Sequence, residues 1–393
     1  MLPAPLMKRL AYVDWMRGLA CVLMFQTHCY DSWLSPEAKK SSVFGWSQLG
    51  GTLPAPLFIF LAGVSFALVT ERLREKSAPP REIAKTTIRR GAEIFALGAL
   101  FRIQEYALGF RVAPWTDLLR VDVLNILGLS MMLMGVLCWF TAGRATSATN
   151  LTAAALSPSI AISRTRGILA SLLAATLIAM ATPFLWTTHR PRALPWPLES
   201  YVNGVHTLGS PQPWLFPLFP WSAFAFVGLA VGFFLFTKLA QRHEALTFAG
   251  IGGTGILACL LSLKLDASSI RLYPAYDYWH TSPNFFLMRF GILLIILFAV
   301  YAWCRWGLAQ LGFSPIIQLG KTSLLVYWVH IEFVYGQLSI LPKHKCTALQ
   351  ATAGLVIIFL AMLVLSLLRT NWKARRAKSQ AQTPAAVPSL ASK

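Results

Sequence analysis

The sequence predicts an all-α polytopic membrane protein, a bundle of about ten transmembrane helices, or eleven, with both termini in the cytoplasm. Of its 393 residues, 56% are hydrophobic and only 13% are charged, and the mean hydropathy is +0.57. A soluble domain does not need so much apolar surface. Several uncharged stretches reach the ~20 residues that cross a hydrocarbon core about 30 Å thick. The apolar runs are continuous and do not alternate, which favours helices over a closed β-barrel.

The stretches that predict membrane-spanning helices follow one another along most of the chain. Their approximate bounds are 13–34, 53–70, 88–109, 121–141, 168–187, 214–237, 246–264, 286–304, 316–341 and 351–369. Together they form one membrane domain, residues 9–370. Residues 371–393 follow as a basic cytoplasmic tail, whose small, polar and proline residues predict disorder.

Lysine and arginine residues are concentrated in alternate connections between the predicted spans. The connection at 71–90 holds seven of them, and others stand near the amino terminus, in 142–166, in 238–245 and from Arg369 onward. Positive loops remain in the cytoplasm during insertion, so this side is predicted to be cytoplasmic. The net charge of +20 then suits anionic lipid headgroups of the bilayer and is no indication of nucleic-acid binding. Whether 71–90 also binds a polyanionic cytosolic ligand stays open.

Leader and cysteine patterns restrict the class of protein further. The first apolar stretch has no small-residue cleavage site and is followed by further spans, so it is expected to remain in the mature protein. The six cysteines show no CxxC or Cys/His spacing, and neither a metal site nor a disulfide is expected. The sequence does not specify the oligomeric state, and a homodimer is one of the states it allows.

The first predicted helix carries four ionisable residues, Asp14, Arg17, His28 and Asp31. At 100° per residue they share one stripe about 100° wide. Ionisable groups inside a membrane span are costly and usually functional. The rise per residue separates Arg17 from His28 by roughly 16 Å along the axis. A polar seam therefore crosses more than half of the membrane.

The same spacing predicts two pairs on this helix. Asp14 and Arg17, three residues apart, can form an ion pair, which is either functional or an anchor for the helix end. His28 and Asp31 have the same separation, so the carboxylate can orient the imidazole and raise its basicity. The second pair therefore has the geometry of a general base. The alternative is that His28 is only a histidine packed in the core.

Charged residues also occur in the third predicted span. Arg102 and Glu105 stand three residues apart near its outer end, as a further polar pair able to support a site. Arg89 and Arg90 stand near its inner end, and Glu93 is within reach of both, so a local salt bridge is the simplest interpretation.

Two further spans contribute polar residues. Asp122 and Asn125 open the fourth span, where they are candidates for a site or form only a helix cap. His330 lies in the outer half of the ninth span, where it either shares a cavity with His28 or is a satisfied core histidine.

Several motifs carry a family resemblance across most of residues 9–340. They are RLAYVDWMRGLACVLMFQTH at 9–28, PLFIFLAGVSFAL at 56–68, TIRRGAEIFALGAL at 87–100, LLRVDVLNILGLSMML at 118–133, FPLFPWSAFAFVGLAVG at 216–232 and LGKTSLLVYWVHIEFVYG at 319–336. This arrangement resembles the heparan-α-glucosaminide N-acetyltransferases and their bacterial relatives, in the transmembrane acyltransferase superfamily. Asp14, Arg17 and Gly18 match the opening motif of that family.

The resemblance implies transfer of an acyl group, usually acetyl, from cytosolic acyl-CoA to an amine or hydroxyl of a sugar or glycan across a bacterial inner membrane. His28 matches a histidine near the end of the first helix in bacterial relatives, and it would act as a general base or through a covalent acyl-histidine. Arg17, Arg89 and Arg90 are then the candidates for holding acyl-CoA. The lysosomal enzymes place their active histidine in the following loop, and residues 35–52 here contain none.

A transporter or flippase is the alternative class, because a charged seam through a helical bundle equally describes a substrate or proton path. Internal symmetry between the halves would favour it, but the charged first helix has no counterpart near 168–187. No Walker A sequence and no GxSxG elbow occur, which argues against ATP-driven transport by this chain and against a serine hydrolase.

Overall fold

The computed structural model describes residues 10–109, 113–142, 153–204, 216–269, 272–275, 277–307 and 312–382. These residues form fourteen α-helices and two short 3₁₀ helices, and an isolated bridge between Leu34 and Cys346 is their only β-type pairing. The α-helices are α1 Ala11–Trp33, α2 Ser42–Gly51, α3 Pro54–Glu75, α4 Pro80–Leu108, α5 Val123–Thr141, α6 Ala153–Trp186, α7 Trp196–Asn203, α8 Leu218–Leu235, α9 Lys238–Arg242, α10 Glu244–Asp266, α11 Pro283–Trp306, α12 Pro315–Lys321, α13 Ser323–Val334 and α14 Ala348–Gln382.

Seven helical segments in the described part of the chain are long and apolar enough to cross a membrane. They overlap the predicted stretches 53–70, 121–141, 168–187, 214–237, 246–264, 286–304 and 351–369. The all-α architecture of an integral membrane protein is therefore confirmed. The total of ten or eleven spans and the cytoplasmic location of the termini remain predictions.

The predicted spans 13–34 and 88–109 correspond to α1 and α4. Both are long helices, but neither is among the seven apolar segments. The ionisable side chains of the candidate site lie on these two helices. A charged side chain on a helix of membrane-spanning length is tolerated when it faces the interior of the bundle. Most of these charged groups do face neighbouring helices.

The predicted continuous span 316–341 is wrong. The chain instead forms two short helices, α12 and α13, that meet at Thr322. Thr322 has φ −125° and ψ 24°, outside the helical region, and its hydroxyl donates a hydrogen bond of 2.6 Å to the hydroxyl of Ser366 on α14. A hydropathy pattern cannot reveal this break, because the partner hydroxyl comes from a distant part of the chain.

The tail prediction also needs a correction, because α14 continues to Gln382. Residues 371–382, predicted to be disordered, are helical, whereas 383–393 lie outside the described residues. Within this extension the ring of Trp372 is contacted by two guanidinium groups. Their central carbons lie 4.8 Å (Arg369) and 4.4 Å (Arg376) from the ring centroid. Side chains three and four residues apart meet on a helix, and such contacts favour continuation of α14.

Helix α1 is central, and α3, α11, α12, α13 and α14 all pack against it. Glycines allow the closest approaches. A Cβ at Gly18 would overlap the carbonyl of Ile316 on α12, and a Cβ at Gly320 would overlap the carbonyl of Asp14. Small residues of this kind let helix backbones pack tightly in membrane proteins. The close α1–α12 packing holds the polar stripe of α1 against the segment that leads into α13.

Candidate active site

The first half of the polar stripe joins α1 to α3. The carboxylate of Asp14 is buried, with the residue 2% exposed, and Arg17 Nη1 lies 3.3 Å from its Oδ1. Arg17 Nη2 also donates a hydrogen bond to the hydroxyl of Ser65 on α3. The predicted Asp14–Arg17 pair is therefore confirmed, and its guanidinium bridges two helices.

The second half of the stripe meets α13 through a pair of histidines. His28 Nδ1 lies 2.9 Å from His330 Nε2, and the two ring planes are within 4° of parallel. His330 is fully buried, and its Nδ1 lies 2.9 Å from the carbonyl oxygen of Val326. His330 is thus the satisfied core histidine that was one alternative from the sequence, and one of its hydrogen-bond partners is His28.

The predicted pairing of His28 with Asp31 is not formed. The Asp31 carboxylate accepts a hydrogen bond of 2.8 Å from the hydroxyl of Tyr335, and Lys39 Nζ lies 3.4 Å from its other oxygen. Two donors from outside α1 therefore take the carboxylate, and His28 Nδ1 faces His330 instead. Asp31 reaches the site only through Tyr335, whose ring centroid lies 5.3 Å from that of His28.

A second charged cluster lies where α4, α5 and α13 meet. Arg102 Nη2 contacts Glu105 at 2.5 Å on the same helix and Asp122 at 3.0 Å at the start of α5. The hydroxyl of Tyr327 donates to the other oxygen of Asp122 at 3.0 Å, and the Tyr327 ring centroid lies 6.1 Å from that of His330. This cluster is one tyrosine away from the histidine pair.

The Asp122–Asn125 cap expected from the sequence is confirmed. Asp122 accepts from the backbone N–H of Leu124, and the Asn125 side-chain oxygen accepts from the backbone N–H of Asp122. The Asn125 amide also donates to the carbonyl of Phe95 on α4, at 3.2 Å. Asn125 fixes the α4–α5 contact, and it does not line either cavity described below.

A large cavity of about 920 Å³ lies between α3, α4, α5 and α13. Charged residues of α4 line its rim, and Arg17 lines it from α1; those on α4 are the basic Lys85, Arg89 and Arg90 and the acidic Glu82 and Glu93. The rest of its lining is mainly apolar, including side chains from all four helices, and Tyr327 forms part of the wall nearest the histidine pair.

The rim arginines are exposed, although both contact one carboxylate. Arg89 Nε and Arg90 Nη1 lie 3.3 Å and 3.0 Å from Glu93, which confirms the expected local salt bridge. Their side chains are 80% and 58% exposed. Surface pairs of this kind are weak, so an anion that binds arginine more tightly can displace the Glu93 carboxylate from both guanidinium groups.

A small cavity of about 140 Å³ lies where the carboxyl-terminal ends of α4 and α13 meet. Its lining includes Glu105, Glu332, Tyr335 and Gln337. The Tyr335 ring packs on His28, as Tyr327 packs near His330. Neither histidine lines either cavity itself, but one neighbouring tyrosine lines each: Tyr327 the large cavity and Tyr335 the small one.

The sequence model of the family described as heparan-alpha-glucosaminide N-acetyltransferase, catalytic, matches residues 9–263. This match covers more than half of the chain. The chain belongs to this family. It is accordingly a membrane protein of the acetyltransferase type. No curated protein matches the chain.

The match to the N-acetyltransferase family includes His28 and the parts of α3, α4 and α5 that line the large cavity, but it ends before α13. Three polar residues of this region were not predicted from the sequence: Tyr327 and Tyr335, which pack beside the histidines, and Gln104. The amide of Gln104 donates to Glu332 at 2.7 Å, and its oxygen accepts from the indole of Trp328 at 2.8 Å. The only sequence signal was the position of both tyrosines in the segment YWVHIEFVYG around His330.

The described part of the chain has no clustered set of metal ligands. No group of three or more His, Cys, Asp or Glu side chains there is arranged to hold a metal ion. All six cysteines, each within the described residues, are free thiols.

Proposed function

We propose that this protein transfers an acetyl group from cytosolic acetyl-CoA to an amine or hydroxyl of a sugar or glycan on the far side of a bacterial inner membrane. The observation that supports this most strongly is that the histidine pair packs beside two tyrosines, of which Tyr327 lines the large cavity and Tyr335 lines the small one. A donor that enters through the large cavity and an acceptor that enters through the small one would meet at His28.

The large cavity suits coenzyme A. Its volume of about 920 Å³ is at the upper end of typical small-molecule sites, which are roughly 300–1,000 Å³. The phosphates of CoA would bind Lys85, Arg89 and Arg90, because guanidinium and ammonium groups form charge-assisted hydrogen bonds to phosphate. The apolar walls further in suit the pantetheine arm, and Arg17 lies deeper on the α1 side.

Tyr327 separates the large cavity from the histidines. It lines that cavity, and its hydroxyl is held by Asp122. In our proposal the acetyl thioester reaches the histidine pair beside this ring, and a rotation of the Tyr327 side chain opens the way. Arg102 and Glu105 act indirectly, by holding Asp122 and therefore Tyr327.

The small cavity is the proposed entry of the acceptor. Its carboxylates, Glu105 and Glu332, can accept hydrogen bonds from the hydroxyl and amino groups of a sugar, and so can the oxygen of Tyr335, whose own O–H is donated to Asp31. The volume of about 140 Å³ suits one terminal group of a sugar rather than a whole glycan, so the remainder of the acceptor would stay outside the bundle.

In the reaction, His28 removes a proton from the acceptor nitrogen or oxygen as that atom attacks the thioester carbonyl. The new C–N or C–O bond forms, the C–S bond breaks, and the proton passes from His28 to the leaving sulfur. The products are the acetylated sugar and free CoA. A hydrogen bond to the carbonyl oxygen in the transition state would come from the Tyr327 hydroxyl once the side-chain rotation has released it from Asp122.

Proteoliposomes test this proposal. A disaccharide with a terminal glucosamine is trapped inside, and acetyl-CoA labelled on the acetyl group is added outside. We expect label on the trapped sugar with wild-type protein. With His28→Gln we expect the rate of transfer to fall by a factor of about 10² or more, because general-base catalysis contributes roughly 10²–10⁴-fold.

His243→Gln is the matched control, since His243 is exposed between α9 and α10 and lines neither cavity. It should leave the rate unchanged. If His28→Gln transfers label at the wild-type rate, the proposed base is wrong. If the sugar instead crosses the membrane unmodified and without acetyl-CoA, the protein is a transporter.

A further inference from the structure

Two hydrogen bonds connect the histidine pair to the backbone of α13. The carbonyl oxygen of Val326 lies 2.9 Å from His330 Nδ1, and His330 Nε2 lies 2.9 Å from His28 Nδ1. The direction of these bonds follows from chemistry, because a carbonyl oxygen has no hydrogen to donate and can only accept.

The carbonyl therefore sets the tautomer of His330. Its Nδ1 must carry the hydrogen that Val326 accepts. A neutral imidazole has a single N–H, so Nε2 of His330 is left with a lone pair. That lone pair faces Nδ1 of His28, which must supply the hydrogen of the second bond. The remaining nitrogen of His28, Nε2, then carries a lone pair.

The neutral form of both rings is favoured by their surroundings. His330 is fully buried, and its ring packs against those of Phe25, at 4.9 Å between centroids, and Tyr327, at 6.1 Å. Among the described residues no carboxylate is hydrogen-bonded to either imidazole, since Asp31 is bonded to Tyr335 and Lys39. A proton added to either ring would place an uncompensated charge in this environment, which is costly.

We propose that His330 is a positioning residue, which holds His28 in the Nδ1–H tautomer and so presents Nε2 as the base. This inference rests on the proposed function. When Nε2 takes the proton of the acceptor, the His28 Nδ1–H bond to His330 becomes charge-assisted and stronger. A neutral imidazole thus takes the orienting position that a carboxylate occupies in a Ser-His-Asp triad.

The contacts of Asp31 explain why the partner of His28 is a neutral imidazole and not a carboxylate. Asp31, the nearest carboxylate on α1, is held by Tyr335 and Lys39, so it is not available to His28. The backbone carbonyl of Val326 cannot change its protonation state. The two hydrogen bonds that link Val326, His330 and His28 therefore fix one tautomer of His28 without placing a second charge beside the thioester.

Two substitutions of His330 separate positioning from packing. His330→Phe keeps an aromatic ring against Phe25 but has no nitrogen, whereas His330→Gln loses the ring and keeps an oxygen that can accept from His28 Nδ1. We expect His330→Phe to lower kcat about 10²-fold, with KM for acetyl-CoA changed less than about twofold. His330→Gln should be at least tenfold faster than His330→Phe, roughly the effect of one retained hydrogen bond.

A purely structural role predicts the reverse order, because phenylalanine preserves the packing better than glutamine. The thermal midpoint of each variant in detergent shows whether it is folded. A His330→Phe protein that turns over as fast as wild type, or faster than His330→Gln, would overturn the proposal.

Nuclear magnetic resonance of protein labelled with ¹⁵N-histidine reads the tautomer directly. In wild type we expect the His28 signals to show a protonated Nδ1 and an unprotonated Nε2, and in His330→Phe a mixture of both tautomers. A protonated Nε2 in wild type overturns the inference. This measurement does not depend on turnover: if His28→Gln retains activity, the proposed base fails even where the tautomer is as expected, and the two failures are distinguishable.

Discussion

At the scale of single residues, separation along a helix proved a good guide to which pairs form, except where a residue from elsewhere competes. Asp14–Arg17 lie three residues apart on one helix and pair as expected. Asp31 has the same relation to His28, yet Tyr335 and Lys39 bind its carboxylate. A local pattern shows what a side chain can reach, but the tertiary neighbours decide what it bonds.

This difference makes Asp31→Asn informative. Asparagine keeps an oxygen that can accept from the Tyr335 hydroxyl, so we expect kcat to fall less than about tenfold, against about 10²-fold or more for His28→Gln. Acetyl transfer measured side by side in proteoliposomes compares the two. A loss in Asp31→Asn as large as in His28→Gln would mean that the carboxylate acts on His28 directly.

The residue contacts that define the site span great distances in sequence. His28 and His330 are separated by 302 positions, and Tyr327 and Asp122 by 205. Hydrogen bonds of this kind leave no periodic trace in one sequence. For this reason His330 was predicted only as a residue that either shares the cavity or packs in the core, and the tyrosines beside it were not predicted at all.

At the scale of helices, hydropathy found where helices lie, and glycines fixed how closely they approach. The α3–α8 crossing shows this most directly. A Cβ at Gly63 would overlap the carbonyl of Ala225, and a Cβ at Gly228 would overlap the carbonyl of Phe60. Because α3 also forms a wall of the large cavity, this crossing supports the shape of the proposed donor site.

We therefore expect Gly228→Ala to lower the stability of the protein by about 1–3 kcal/mol, the usual cost of overpacking a well-packed interior. The measurement is the thermal unfolding midpoint in detergent. Gly253→Ala, on α10, is the matched control, because nothing lies within 4 Å of an added Cβ there. An unchanged midpoint for Gly228→Ala would show that the two helices can separate without cost.

At the scale of the whole molecule, charge is distributed unevenly. The net charge is +20, and part of it lies where α4 borders the large cavity. The rim arginines Arg89 and Arg90 are exposed and weakly paired. Charges in such a position attract an anionic ligand and are screened by salt.

Removing both charges should weaken donor binding. We expect the double variant Arg89→Gln/Arg90→Gln to raise KM for acetyl-CoA roughly threefold to tenfold, as the loss of two exposed ion pairs implies, with little change in kcat. Steady-state kinetics at low and high ionic strength measures this, and the difference from wild type should shrink as salt increases.

Lys238→Gln/Arg242→Gln removes the same charge from α9, which does not line the large cavity. This control should keep the wild-type KM. An equal rise in KM for both double variants would show that net charge acts on acetyl-CoA at long range, and that the rim is not a binding site.

The sequence by itself determined the fold class, seven of the apolar segments, the polar stripe of α1, the Asp122–Asn125 cap and three local pairs, Asp14–Arg17, Arg89–Glu93 and Arg102–Glu105. These depend on composition, helical period and neighbours three or four residues apart, all of which one sequence contains. The tertiary structure alone decided the break at Thr322, the loss of the His28–Asp31 pair and the contact of His28 with His330. Each depends on which distant groups the packed helices bring within hydrogen-bond distance, and a linear pattern does not encode that distance.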